Sequence, residues 1–467
     1  MKMWGGRFRQ AVDPEFQRWQ SSFEFDRVLL PFELVASGAH ARALNKAGIL
    51  SLEELRTILA GLERIAEKAA NTPGFMDDPS AEDVHHFVQE RLAAEIGGLA
   101  YKLHSGRSRN EQIATDLRLH IRASIDRLQV GLLGWLEVLV QRAEQTCDAV
   151  MPAYTHLQRA EPVLVAHYLL AYVEMFLRDC GRLGDCRARL NECPLGSGAI
   201  AGSTVALDRR AIAADLDFSA PTANSIDATS DRDFVLEFTG VLSLIALHLS
   251  RWAEEMILFS SDEFGFVDLP EAYSTGSSAM PQKKNPDLLE LTRGKAARVI
   301  ADHNALMIVT KGLPLAYNKD LQETQEPLFD AVAAISSLLP LVTAWMKAAE
   351  FDYGTMREAA EGGFMNAWAA ATYLVHRGVP SAQAHELIGK AVQLSLEKGC
   401  GLDGLPLEEL RKLNPAFDAD FHACLSLDSV LAIHDVAGGT APERVRQAIV
   451  HAKQRVEAIR EKIHEPA

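Results

Sequence analysis

The chain has no excess of positive charge, no paired cysteine motif and no uninterrupted apolar run of membrane length. Its 467 residues carry a formal charge of −16. That leaves no broad basic field for a nucleic acid or an anionic membrane. A small anionic substrate needs only local Lys and Arg and stays open. The six cysteines, Cys147, Cys180, Cys186, Cys193, Cys400 and Cys424, form no CxxC pair. This argues against a zinc site or a disulfide framework and fits thiols in a reducing compartment. The most apolar long window, 241–259, is interrupted by His248, Arg251, Glu254 and Glu255, so it is not read as a membrane span. The opening MKMWGGRFRQ lacks the apolar core of a signal peptide. A soluble, cytoplasmic protein is expected. There is no internal repeat, no low-complexity tract and no run of alternating strand pattern.

What is present is helical periodicity. Leu117, Ile121, Ile125, Leu128, Leu132, Leu136 and Leu139 recur at spacings of 4, 4, 3, 4, 4 and 3. No proline falls between Pro79 and Pro152 to interrupt them. Phe234, Phe238, Leu242, Ile245, Leu249, Trp252, Met256 and Phe259 follow a nearly 3.5-residue repeat, which predicts near-parallel packing in a bundle. Further long helices are expected at about 162–190, 286–309 and 320–347, the last containing Pro340. The fold class is all-α. Three helical domains are expected, a mixed region over 1–112, a long-helix bundle over 113–362 and a small domain over 363–467.

Polar loops interrupt the bundle. Thr275–Pro286, TGSSAMPQKKNP, combines Gly276, two serines and two lysines with an Asn-Pro helix start. Backbone N–H groups, a helix N-terminus and ammonium groups suit an anion, although a solvated spacer has the same composition. Ser105–Asn110, SGRSRN, carries two arginines whose forks fit carboxylates. Tyr154–Arg159 sets Thr155, His156, Gln158 and Arg159 together, and Tyr317–Glu323 reads YNKDLQE. His85 and His86 follow Glu82 and Asp83 without HExxH or HxH spacing, so a polar helix surface or a substrate contact is favoured over a metal site.

A helix from about Ile113 to Cys147 spans roughly 50 Å. Arg109 precedes its start and His156 follows its end, so either the two loops do unrelated jobs or one site forms between chains packed antiparallel. An oligomer with shared sites is expected.

The residues then carry a resemblance. GSSAMPQKKNP at Gly276–Pro286 resembles the signature of the fumarase/aspartase superfamily. SGRSRN, YTHLQRAEP, LGSGAIAGS at Leu195–Ser203, SDRDFVLEF at Ser230–Phe238, YNKDLQE, EDVH, WGGRF and GGTAP resemble the argininosuccinate lyase family within it. The resemblance spans Met3 to about Arg444. It implies a homotetramer with a twenty-helix core, five long helices per chain, and active sites each built from three subunits. The implied reaction is reversible elimination of fumarate from argininosuccinate to leave arginine, with no cofactor and no metal.

By this resemblance Ser277 is the base, helped by Lys283 and the loop backbone, and His156 is the acid with Glu290 as its carboxylate partner. Lys283, Asn285 and Thr155 hold the succinyl carboxylates, and Arg109 and Asn110 approach from a neighbouring chain. Tyr317, Lys319, Gln322, Ser22 and His85 surround the arginine portion. Three departures stand out, namely Glu111 where Asp is usual, Pro31 ahead of Glu33, and Asn366–Ala370. Two other readings are weighed. Adenylosuccinate lyase would need a phosphate site that YNKDLQE does not offer, and a non-catalytic, crystallin-like structural protein would not need the complete catalytic set.

Overall fold

The computed structural model describes residues 10–464. The WGGRF opening lies outside that range. Two short helical stretches, Pro14–Gln20 and Phe23–Asp26, lead into three longer helices ahead of the bundle: α1 (Leu30–Lys46), α2 (Leu52–Asn71) and α3 (Val84–Ile96). Ser51 starts α2 with a reciprocal capping box, its hydroxyl accepting from Glu54 N while Glu54 accepts from Ser51 N. Pro31 sits in the first turn of α1, where a missing N–H costs nothing.

The long helices are α4 (Arg109–Gln145), α5 (Val165–Leu190), α6 (Asp233–Phe259), α7 (Asp287–Thr310) and α8 (Gln325–Ala348). The predicted stripes are the buried faces. Leu117, Ile121, Leu132, Leu136 and Leu139 on α4, and Phe238, Leu242, Ile245 and Leu249 on α6, are fully buried. Trp135, Trp252 and Trp345 bring α4, α6 and α8 together edge to face, with centroids 5.0 and 5.2 Å apart. The segments Asp233–Phe259 and Lys319–Ala348 are long and apolar enough to cross a membrane. Their apolar stripes instead fill the bundle core.

Side-chain contacts set the helix directions. Arg189 of α5 pairs with Glu237 of α6, whereas Tyr168 and Tyr172 at the other end of α5 donate to Glu255. Arg293 of α7 reaches Glu254, Arg298 pairs with Asp330 of α8, and Arg142 donates to the Met346 carbonyl. Successive neighbours are therefore antiparallel. One end of the bundle gathers the C-terminus of α4, the N-terminus of α5, the C-terminus of α6 and the N-terminus of α7. The opposite ends of the same helices gather at the other.

The region where no strand is expected contains a hairpin. β1 (Val150–Thr155) pairs antiparallel with β2 (Gln158–Leu164), with Pro152 opposite Pro162. Prolines inside both strands and the absence of a Gly or Asn turn hide it from sequence patterning. Its turn holds His156 and Leu157 at φ 55° and 56°. After the bundle, a separate apolar core forms around Leu374, Leu387, Phe417 and Phe421. The last helix, α9 (Pro442–His464), returns to lie along α4 and α5, where Lys453 and Arg455 meet Glu144 and Glu174.

Candidate active site

Thr275–Pro286 folds as a minimal hairpin. β3 (Thr275–Gly276) pairs with β4 (Lys284–Asn285), and α7 begins immediately afterwards. Pro286 is the N-cap and Asp287 the first helical residue, one position later than the Asn-Pro signal suggests, because Asn285 is held in the strand pair. Asp287 ties the hairpin to the helix by accepting from both the N–H and the hydroxyl of Thr275, at 2.9 and 2.7 Å. These bonds hold its carboxyl below the usual range.

Inside the hairpin, Ser277 Oγ accepts from the backbone N–H groups of Ala279 and Met280 at 3.2 and 3.1 Å. Two amides thus converge on one oxygen, an arrangement that favours negative charge there. Of the two lysines, Lys284 is bound to Asp268 at 2.8 Å. Lys283 is exposed at the tip with no ion pair or side-chain hydrogen bond among the described residues. Asn285 donates to Thr275 Oγ1 at 3.4 Å. Glu290 lies on the first turn of α7, 3.9 Å from Arg293 and largely exposed.

His156 and Thr155 occupy the exposed tip of the β1–β2 hairpin at the same end of the bundle. The positive φ of His156, shared with Leu157, is the backbone conformation that a two-residue hairpin turn requires. Its imidazole has no bonded partner among the described residues. No hydrogen bond or ion pair within the chain joins it to Ser277, Lys283 or Glu290.

The remaining candidates cluster at the other end. Arg109 is the first residue of α4, with Asn110 next to it and within 3.5 Å of the Ala199 carbonyl. Ser22 is buried and donates to Asp26 at 2.6 Å. Gln322 donates to the Gln20 carbonyl at 3.1 Å, Lys319 is exposed, and Tyr317 is half-buried. Burial raises the Tyr317 hydroxyl pKa, while Arg232 and Arg109 pull it down. The two groups are separated by the length of α4, whose 37 residues amount to roughly 55 Å.

His85 is turned inward. Its Nε2 lies 3.1 Å from Asp116 and 3.7 Å from Glu33, and its Nδ1 lies 3.9 Å from Asp83. Burial opposes its protonation, but the hydrogen bond to Asp116 and the nearby carboxylates of Asp83 and Glu33 outweigh that and raise its pKa well above the usual value. Burial, then the charge of Glu33, pushes the Asp116 carboxyl up to about 8. The donor atoms of Glu33, His85 and Asp116 lie within 4.8 Å of one another, close enough to share a cation. The imidazolium itself supplies that charge, with Arg107 3.9 Å from Glu33.

The roles of two residues in holding this end together escape sequence reasoning. Asp83 caps α3 by accepting from His86 N at 2.7 Å, and its other oxygen lies 3.0 Å from Arg109 Nη1. The acid is visible in EDVH, but its partner, 26 positions further on, is not. Glu111 is fully buried and bridges two loops. One oxygen accepts from Ser108 N at 2.9 Å, and the other from Gly196 N and Gly198 N at 2.5 and 2.9 Å. The loops meet closely here, since a Cβ on Gly106 would lie 2.7 Å from Ser203 Oγ. The longer acid thus has a structural use.

Comparison with known proteins gives a consistent picture. A family model described as Lyase matches residues 6–301, and another described as Argininosuccinate lyase C-terminal matches residues 364–432. The argininosuccinate lyase of Acidobacterium capsulatum is 58% identical over 460 residues, covering 97% of this chain and 94% of the relative. That of Koribacter versatilis is 57% identical, covering 99% of each. Among solved structures, EDDS lyase in complex with formate has a TM-score of 0.85 at 28% identity, over 97% of this chain and 92% of that one. A 3-carboxy-cis,cis-muconate lactonizing enzyme from Pseudomonas putida shares the fold, with a TM-score of 0.74 at 22% identity over 96% and 100% of the two chains.

Proposed function

The chain belongs to the argininosuccinate lyase family, and from that premise we propose that it eliminates fumarate from argininosuccinate, reversibly, to leave arginine. It is a lyase acting on a carbon–nitrogen bond. The observation that carries the reading is identity above half over nearly the whole chain, joined to a signature hairpin whose serine oxygen sits under two backbone N–H groups.

Elimination needs a base for the proton beside a carboxylate, cationic and dipolar support for the resulting dianion, and an acid for the leaving guanidine nitrogen. Ser277 takes the proton, its alkoxide stabilised by the Ala279 and Met280 amides and by Lys283. Lys283, Asn285 and Thr155 hold the succinyl carboxylates. His156 protonates the leaving nitrogen, oriented by a Glu290 carboxylate. Arg109, Asn110, Ser22, Tyr317, Lys319 and Gln322 enclose the remainder of the substrate.

The two groups at opposite ends of one bundle support a homotetramer with shared sites, because antiparallel chains bring unlike ends together. Exposed Leu244 and Leu247 on α6, Leu291 and Ile308 on α7 and Leu341 on α8 offer apolar surface for it. The six free cysteines suit the reducing cytoplasm, and arginine biosynthesis is the fitting role. Fumarate release followed by ultraviolet absorbance tests the proposal. Turnover of adenylosuccinate in place of argininosuccinate would overturn it.

A further inference from the structure

Arg109 stands where a cation is poorly placed on its own. It is the first residue of α4, and the positive end of a helix dipole repels a guanidinium. Its Nε is buried without a hydrogen-bond partner among the described residues. The attraction that offsets this comes from α3 and the turn before it, with Nη1 3.0 Å from Asp83 Oδ2 and 3.7 Å from Glu82. Asp83 in turn is not free to swing. Its Oδ1 caps α3 through His86 N at 2.7 Å and faces His85 Nδ1 at 3.9 Å.

The other side of His85 leads back to α4. Its Nε2 is 3.1 Å from Asp116, seven residues beyond Arg109 and so two turns along the same helix face. Arg109, Asp83, His85 and Asp116 therefore close a ring that starts and ends on α4 and passes through the first turn of α3. Glu33 of α1 braces it at 3.7 Å from His85, itself held by Ser37 at 2.6 Å and Gln112 at 3.1 Å. The His85 side chain is 6% exposed and that of Asp116 is fully buried, whereas Arg109 retains 23% exposure. Only the arginine end of the ring reaches solvent.

We propose that Asp83 and His85 are positioning residues for Arg109. They hold the guanidinium in one orientation, with its remaining N–H groups directed at a substrate carboxylate, and His85 touches no substrate. This departs from the substrate contact that the resemblance implies for His85, and it rests on the reading that Arg109 binds substrate. Buried charges paired across elements are costly to disturb, which suits a group whose task is to keep another still.

The test is a double-mutant cycle on the full-length enzyme in its native assembly. Asp83→Asn and His85→Gln, which keeps a donor for Asp116, are made alone and in an Arg109→Ala background, with KM, kcat and Tm recorded. Alone, each is expected to raise KM about tenfold with kcat changed less than about threefold, while in the Arg109→Ala background each changes KM less than about twofold, as residues acting through a shared partner do. Full KM penalties in the Arg109→Ala background, or an unchanged KM in the single variants, overturn the proposal. Should Asp83→Asn not fold, Asp83→Ser keeps the capping oxygen while removing the charge and takes its place under the same expectations. A wild-type KM for Arg109→Ala alone has a different meaning, since it removes the premise about Arg109 and the positioning role with it.

Discussion

Ser277 Oγ accepts a hydrogen bond from the backbone N–H of Met280, three residues on, at 3.1 Å, and a second from Ala279 at 3.2 Å. Bonds to a charged oxygen contribute about 1.5–3 kcal/mol each. Two of them favour the ionised form of the hydroxyl and so lower its pKa. A serine hydroxyl starts too high for that to suffice, so the proposed base needs a further cation. Lys283 makes no ion pair among the described residues, while Lys284 is held by Asp268.

Ser277→Ala is therefore expected to fold and assemble with an unchanged circular dichroism spectrum while kcat falls by about 10³-fold or more. Lys283→Ala should lower kcat by about 10²-fold, the scale of one lost electrostatic stabiliser. Near-normal turnover in Ser277→Ala would remove serine from the mechanism.

The opposed placement of Arg109 and His156 along α4 makes a prediction about mixtures. At low substrate, Arg109→Ala is expected to be strongly impaired through a raised KM and His156→Ala through a lowered kcat. Subunit exchange between them should restore measurable activity, because some sites then receive both intact residues from different chains. No recovery in a mixture shown by mass spectrometry to contain hybrid oligomers would count against shared sites.

Glu111 joins the start of α4 to the 195–203 loop. Glu111→Asp shortens the reach by one methylene and leaves the Gly196 and Gly198 amides without their acceptor. Each buried donor left unsatisfied costs about 1–3 kcal/mol. The variant should melt lower, with faster amide exchange at Gly196 and Gly198, and unchanged exchange at both positions would refute the bridging role.

His120 is packed edge-on between Phe32 and Phe329, with centroids 5.5 and 5.2 Å away. Neither of its ring nitrogens has a hydrogen-bond partner among the described residues. Burial, then the charge of Arg127, lowers its pKa to about 4. The unfolded chain, with its histidine near 6.5, binds the proton first as pH falls. Stability from this residue is thus present above about 6.5 and is lost as pH falls towards 4. By pH 5 the loss is about 2 kcal/mol. His120→Phe should show a shallower fall in Tm between pH 7 and 5 than the parent, and equal slopes would show that His120 is not buried neutral.

The helices were legible because their cause is local. The stripe from Leu117 to Leu139 needs only a 3.6-residue period, and it became the buried face of α4. The β1–β2 hairpin was not, since Pro152 and Pro162 sit within the strands and its left-handed turn uses His156 and Leu157. Only the surrounding fold makes that turn affordable. His85 illustrates a second limit. Its neighbours in EDVH are visible, but the orientation of its ring depends on Glu33 and Asp116, which are distant in sequence.

By itself, then, the sequence determined the helical class, the long bundle elements and the loops that carry reactive groups, all set by short-range periodicity and side-chain type. Tertiary structure decided which groups share an end of the bundle. It turned His85 inward, committed Lys284 to Asp268 and left Lys283 open, and set Asp83 against Arg109. Those outcomes follow from antiparallel packing and from pairing charges across elements, and neither is encoded in any one stretch of chain.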